Sequence, residues 1–266
     1  MRIRNKYLLV WVTLLGMALG SVRSAPAITN GQPDGTGHPY VGVLVFDVDG
    51  EPAWLCTGSL IAPTVVLTAG HCTDGAAGAR VWFDSQVTDP NFPYGGGTSI
   101  EATAIHTHPD FCIGCARGLP GFDTHDVGIV ILSEEVTGKG FAALPTQGFV
   151  DLLPMNTAVT LVGYGGQEQT RGIPPHRWLI NISRYFAPAQ LVQSNDRMSD
   201  EYIKLTANPA QGKGGTCFGD SGGPDLLGNI VLAVNSLVTN GNCAGVTYSN
   251  RIDTAYALAF IDSFLP

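Results

Sequence analysis

Cys217-Phe218-Gly219-Asp220-Ser221-Gly222-Gly223-Pro224 is the stretch whose reading decides this chain. A serine hydroxyl is a weak nucleophile at neutral pH. It needs an adjacent base, and donors for the negative oxygen that develops during acyl transfer. The glycines flanking Ser221 let the backbone bend tightly and let a substrate carbonyl come close. Upstream, Leu67-Thr68-Ala69-Gly70-His71-Cys72 supplies a histidine. Between the two, His125-Asp126 opens an apolar run ending at Leu132, which suits an acid held at the edge of a buried strand. A lone Ser in a Gly-rich turn is usually structural, as is a lone His or Asp. Three such motifs in one chain, framed by cysteines, point to nucleophilic catalysis.

The chain order is His71, Asp126, Ser221. Gly219-Asp220-Ser221-Gly222-Gly223 also fits the GxSxG elbow of α/β-hydrolases, but those enzymes place their histidine after the serine. The last histidine here, His176, precedes Ser221, and that excludes the lipase/esterase arrangement. The order and the motifs resemble the trypsin/chymotrypsin family of serine proteases, and the likeness runs along nearly the whole chain after residue 27. Further landmarks are the Cys56 to Cys72 separation through Thr57-Gly58-Ser59-Leu60-Ile61, the His108-Pro109 pair, Gly163-Tyr164-Gly165 and Ser236.

Residues 1–27 read as a secretory signal peptide: Arg2, Arg4 and Lys6 precede the apolar run Leu8 to Leu19, and small residues end at Ala25-Pro26-Ala27. That run is short for a membrane span. The leader holds four of the 14 Lys and Arg and none of the 22 Asp and Glu, so the remainder has ten against 22, a formal charge of −12. Such a balance argues against nucleic acid or an anionic membrane as partner. Residues 28–266 then form one protease domain, secreted and monomeric. Six cysteines outside the cell read as disulfides.

Short β-branched stretches bounded by Gly, Pro, Asn and Asp recur at Val41–Phe46, Ser59–Ile61, Val65–Thr68, Gly128–Leu132, Val159–Val162 and Ile230–Val234, an all-β pattern. Residues 84–97 and 109–124 read as loops. Only the end reads as helix, with Asp253 as N-cap and Ala257, Phe260, Ile261 and Phe264 on one face. The resemblance implies two six-stranded antiparallel Greek-key barrels, divided near residues 136–150, with a C-terminal helix.

It also implies the roles. Ser221 is the nucleophile, His71 the base, Asp126 the residue that orients it, and the N–H groups of Gly219 and Ser221 are the oxyanion hole. Pairings Cys56–Cys72 and Cys217–Cys243 follow from the family, leaving Cys112 with Cys115. Ile28-Thr29-Asn30-Gly31 resembles the family's mature terminus, so cleavage after Ala27 would free the Ile28 ammonium to pair with Asp220. The pocket floor falls at Gly215 beside Thr216. Ser236, Leu237 and Val238 form the substrate-pairing wall, Val238 narrowing the pocket and Gly245 leaving its far side open. No acid stands at the floor, so small or medium apolar P1 residues are expected. Polypeptide substrates and protein protease inhibitors are the implied partners, with no cofactor and no metal.

His106, His108, Cys112 and Cys115 allow a zinc reading, although a local disulfide is the simpler account in an oxidising compartment. Asn181-Ile182-Ser183 is a glycosylation acceptor where the host provides that chemistry. The competing function is a catalytically silent secreted homologue that binds through its loops.

Overall fold

The computed structural model of the chain describes residues 28–116, 121–166, 168–169, 178–179, 182–193, 200–208, 211–241 and 243–266. The leader and Asn181 therefore lie outside the described residues.

The first barrel closes as β2(Val41–Val48), β3(Glu51–Ala62), β4(Val65–Thr68), β7(Gly128–Leu132), β6(Ile100–Thr107) and β5(Gly78–Trp82), with β5 returning to β2. Its first hairpin is fixed locally. Asp49 and Gly50 take φ of 54° and 83° between Val48 and its partner Glu51, the two-residue turn that Asp-Gly favours. Val41 to Asp47 are all buried, so β2 is covered on both faces.

The second barrel joins β8(Ala158–Gly163), β11(Tyr185–Gln193), β12(Tyr202–Ala207), β15(Gly245–Arg251), β14(Ile230–Val238) and β13(Pro224–Leu227). Pairings of β8 with both β11 and β13 close the ring. A two-residue strand, β1(Gln32–Pro33), pairs with β11 from outside, and β9(Glu168–Gln169) pairs with β10(Trp178–Leu179). Closure leaves neither barrel a free edge, and among the described residues every strand-to-strand pairing is antiparallel, as expected, with one isolated parallel bridge from Ala143 to Ile230. Gly163 ends the first strand of the second barrel, and Tyr164 and Gly165 follow it.

Two short helices complete the frame: α1(Gly70–Thr73), and α2(Ala255–Asp262) near the C-terminus. The N-cap of α2 is Thr254, whose hydroxyl accepts the Ala257 N–H, and not Asp253. Asp253 is buried and takes the Arg251 guanidinium and the Val150 N–H, so it is spent on packing. Ala257 and Ile261 face the core as expected, while Phe260 and Phe264 cover His108 and His106 at the end of β6. Among the described residues no helix is long and apolar enough to cross a membrane.

Arg184 joins the barrels. It leads into β11, and its guanidinium is nearly fully buried. It donates to Asp34 Oδ2 at 2.6 Å, to the Val41 and Phe83 carbonyls of the first barrel, and to Gly35 O. His38 Nδ1 lies 2.5 Å from the other Asp34 oxygen, which secures the segment that follows Ile28.

Candidate active site

His71 is carried by α1, one turn of helix directly after β4. The Cys56–Cys72 disulfide ties that turn to β3, and Trp54 Nε1 donates to Cys72 O at 2.8 Å. Asp126 enters from the other side. His125 takes a positive φ of 52°, its N–H donates to Glu201 Oε2, and the bend delivers Asp126 to the start of β7.

The Asp126 carboxylate is completely buried. It accepts the His71 N–H at 2.7 Å, His71 Nδ1 at 2.9 and 3.1 Å, and Ser236 Oγ at 2.5 Å. A carboxylate can only accept, so the ring proton sits on Nδ1 and Nε2 is left as the acceptor. Burial alone would raise the Asp126 pKa, but the His71 imidazole and the hydrogen bonds outweigh it and hold the group below the usual carboxylate range. His71 mirrors this. Burial disfavours its charged form, yet Asp126 and, more weakly, Asp123 lift its pKa above the ordinary histidine value.

Ser221 stands on the loop between Cys217 and β13, with its hydroxyl unpartnered among the described residues. The Cys217–Cys243 disulfide braces that loop. Gly219 takes φ +96°, and neither its N–H nor that of Ser221 donates to any described group. Beside them lies a cavity of about 330 Å³, lined by Thr216, Cys217, Phe218, Ser221 and the strand and turn Asn235 to Gly241. Among the described residues no charged side chain lines it. Of the residues named from the sequence for the pocket, Thr216, Ser236, Leu237 and Val238 are in that wall.

Two expected pocket residues are elsewhere. Gly215 is not among the described residues that line the cavity; its N–H and C=O pair with Thr29, and a Cβ there would stand 2.4 Å from the Ala207 methyl. Gly245 is exposed at φ +100° with open space around it, so it forms no wall of the cavity.

Asp220 is fully buried, and its oxygens accept Gly165 N–H at 2.8 Å and Cys217 N–H at 2.9 Å. Burial dominates these two neutral donors and pushes its pKa up to about 7. Ile28 is also fully buried, within the core of the second barrel with Leu161, Ala187 and Leu232.

Cys112 and Cys115 are joined to each other, which removes the sulfur ligands of the zinc reading, and His108 stacks on His125 at 4.9 Å. His71, Asp123 and Asp126 bring three ligand atoms within 4.8 Å of one another, but His71 and Asp126 are already committed to each other. Asp123 was not singled out from the sequence, although it lies three residues before Asp126. Its carboxylate accepts the Gly114 N–H at 2.8 Å, which holds it near His71.

A family model described as Trypsin matches residues 28–261. A trypsin of Saccharopolyspora erythraea is 29% identical over 207 residues, covering 75% of this chain and 81% of that protein. A collagenase of Hypoderma lineatum is 27% identical over 259 residues, covering 90% of each. Among solved structures, HL collagenase superimposes with a TM-score of 0.66 at 20% identity, covering 87% of this chain and 96% of that one. Human heparin binding protein gives 0.62 at 16% identity, covering 88% and 94%. Fold, cysteine frame and the match over residues 28–261 make this chain a member of the trypsin family of serine proteases.

Proposed function

We propose that this protein is a secreted serine endopeptidase working through an acyl-enzyme. The observation that carries the reading is Asp126, which with Ser236 fixes His71 through Nδ1 and leaves Nε2 as a base. Ser221 Oγ attacks the scissile carbonyl as His71 Nε2 takes its proton. The N–H groups of Gly219 and Ser221 receive the oxyanion, and Asp126 stabilises the imidazolium. His71 then protonates the leaving amine, and the bond to nitrogen breaks. Water, deprotonated by the same imidazole, releases the acid and restores Ser221.

The neutral cavity, walled by Leu237 and Val238, favours small or medium apolar P1 residues such as Ala, Val or Leu. A Lys or Arg there would be desolvated without a counter-charge. Cleavage of peptides differing only at P1 checks this, and fastest cutting after Arg would refute it. We further propose that cleavage after Ala27 frees the Ile28 ammonium to pair with Asp220. The buried, unpaired carboxylate and the buried Ile28 side chain support that step. A mature protein beginning anywhere but Ile28 would sink it.

The deciding test exposes protein verified to begin at Ile28 to a fluorophosphonate, with Ser221→Ala as control, and reads intact mass. One adduct, absent from the variant, is expected. No adduct would favour the silent binding homologue.

A further inference from the structure

Thr57 lies on β3, fully buried, where the first barrel touches the loop carrying Ser221. Its backbone N–H donates to Ser221 O at 2.8 Å, and its Oγ1 donates to Gly219 O at 2.9 Å. The same hydroxyl accepts the Tyr164 N–H at 3.2 Å, which leaves its single proton committed to Gly219. Thr57 is itself held, because Thr68 Oγ1 donates to its carbonyl at 2.9 Å. The loop can come this close because residue 222 is glycine: a Cβ there would lie 2.0 Å from Thr68 Oγ1 and 2.6 Å from Thr57 O.

One threonine of the first barrel thus grips the carbonyls of residues 219 and 221, and the N–H groups of those same residues have no acceptor among the described residues. Gly219, lacking a Cβ, leaves φ +96° at little steric cost, so its peptide planes need an external anchor. Asp220 between them is fixed by Gly165 and Cys217 in the second barrel, whereas Gly219 O takes its anchor from the opposite one.

We propose that the Thr57 hydroxyl is a positioning element for the oxyanion hole, holding the Gly219 and Ser221 N–H groups in place before substrate arrives. The proposal rests on the protease reading given above. The hydroxyl contacts no reacting atom and acts only through the Gly219 carbonyl, so its signature is kinetic and specific to the developing oxyanion.

The test compares Thr57→Val, which keeps the shape and the backbone N–H, with Thr57→Ser, which keeps the hydroxyl. The Val variant should lower kcat about tenfold, less than the hundredfold or more for losing a donor outright, with KM within about twofold. It should lose similar affinity for a peptide aldehyde, whose adduct carries the oxyanion, but none for the matching peptide acid. The Ser variant should restore both. Wild-type kcat and aldehyde affinity in Thr57→Val, or equal losses in Thr57→Ser, would overturn the proposal. Hydrogen exchange over residues 217–223 separates this failure from that of the protease reading. If wild-type Ser221 takes no fluorophosphonate, the reading falls. Faster exchange in Thr57→Val would then still support the clamp, and unchanged exchange would overturn it. Should Thr57→Val not fold, Thr57→Ala, which admits water to the Tyr164 N–H, faces the same criteria.

Discussion

Asp126 and Asp220 are equally buried, and their pKa values move in opposite directions. Each sits in the loop that leads into a barrel strand, β7 for one and β13 for the other. Asp126 is met by a chargeable imidazole, a hydroxyl and a backbone N–H, and it stays ionised. Asp220 meets two backbone N–H groups and no cation, and its pKa rises to about 7. Burial sets the size of the penalty, while the charge of the partner sets the sign. The half of the site built by the first barrel is therefore electrically complete. In the half built by the second, no cation stands against Asp220 among the described residues, and the proposed ammonium of Ile28 would supply one.

The sharpest break in this contrast is Asp126→Asn. An amide at that position favours the wrong tautomer of His71, and kcat should fall by about 10⁴ with little change in KM. Retained kcat would remove Asp126 from the proposed mechanism. The second test adds the missing charge or withholds it. Protein beginning at Ile28 should exceed a chain retaining Ala27 by about a hundredfold or more in kcat/KM, as expected for a buried carboxylate left without its cation. Equal activities would mean that Asp220 needs no ammonium.

Ser236→Ala is a milder probe, since it removes one of several donors to Asp126. About a tenfold loss of kcat is expected, the scale of a hydrogen bond to a charged group. In the same assay, activity needs neutral His71, whose pKa lies above the ordinary value of 6.5. The acid limb of kcat/KM should therefore fall above pH 6.5, activity being lost as pH drops through it. A limb at or below 6.5 would contradict the ion pair.

The smallest effect comes from a third buried carboxylate, for which no cation is in prospect. Neither oxygen of Asp225 has a hydrogen-bond partner of good geometry, and burial, tempered by the nearby Ser249 hydroxyl, pushes its pKa up to about 8. A folded-state pKa raised from 3.8 makes its stabilising share complete below about pH 4 and lost as pH rises toward 8. Asp225→Asn should melt about 2–4 °C higher than the parent at pH 8.5, and the gap should close at pH 4. A gap independent of pH would show that Asp225 is not neutral in the folded protein.

The sequence was most legible where chemistry is local. Strands Val65–Thr68 and Gly128–Leu132 end where their apolar runs end. By contrast β11 was not picked out, because Pro188 interrupts its pattern. It is tolerated there because β12 pairs with β11 only from Leu191 onward. His71, Asp126 and Ser221 carry short signatures and could be named in advance. Thr57, Asp123, Arg184 and Asp34 carry none, since their roles depend on partners brought near only by barrel closure. Arg184 and Asp34 are 150 positions apart, and no window of sequence relates them. A count along the chain likewise cannot tell which of two adjacent residues, Gly215 or Thr216, turns toward the cavity that Thr216 lines.

Arg184 also limits how this molecule can be taken apart. Each barrel has its own closed ring of strands, so the pair looks divisible into two modules. Yet one guanidinium spends its donors on the leading segment and on two carbonyls of the opposite barrel. Separating the halves would break the buried hydrogen bonds from Arg184 to the Val41 and Phe83 carbonyls and open the packing around its ion pair with Asp34. The barrels are thus two shapes but one cooperative unit, and a split chain should regain structure only when both pieces are present together.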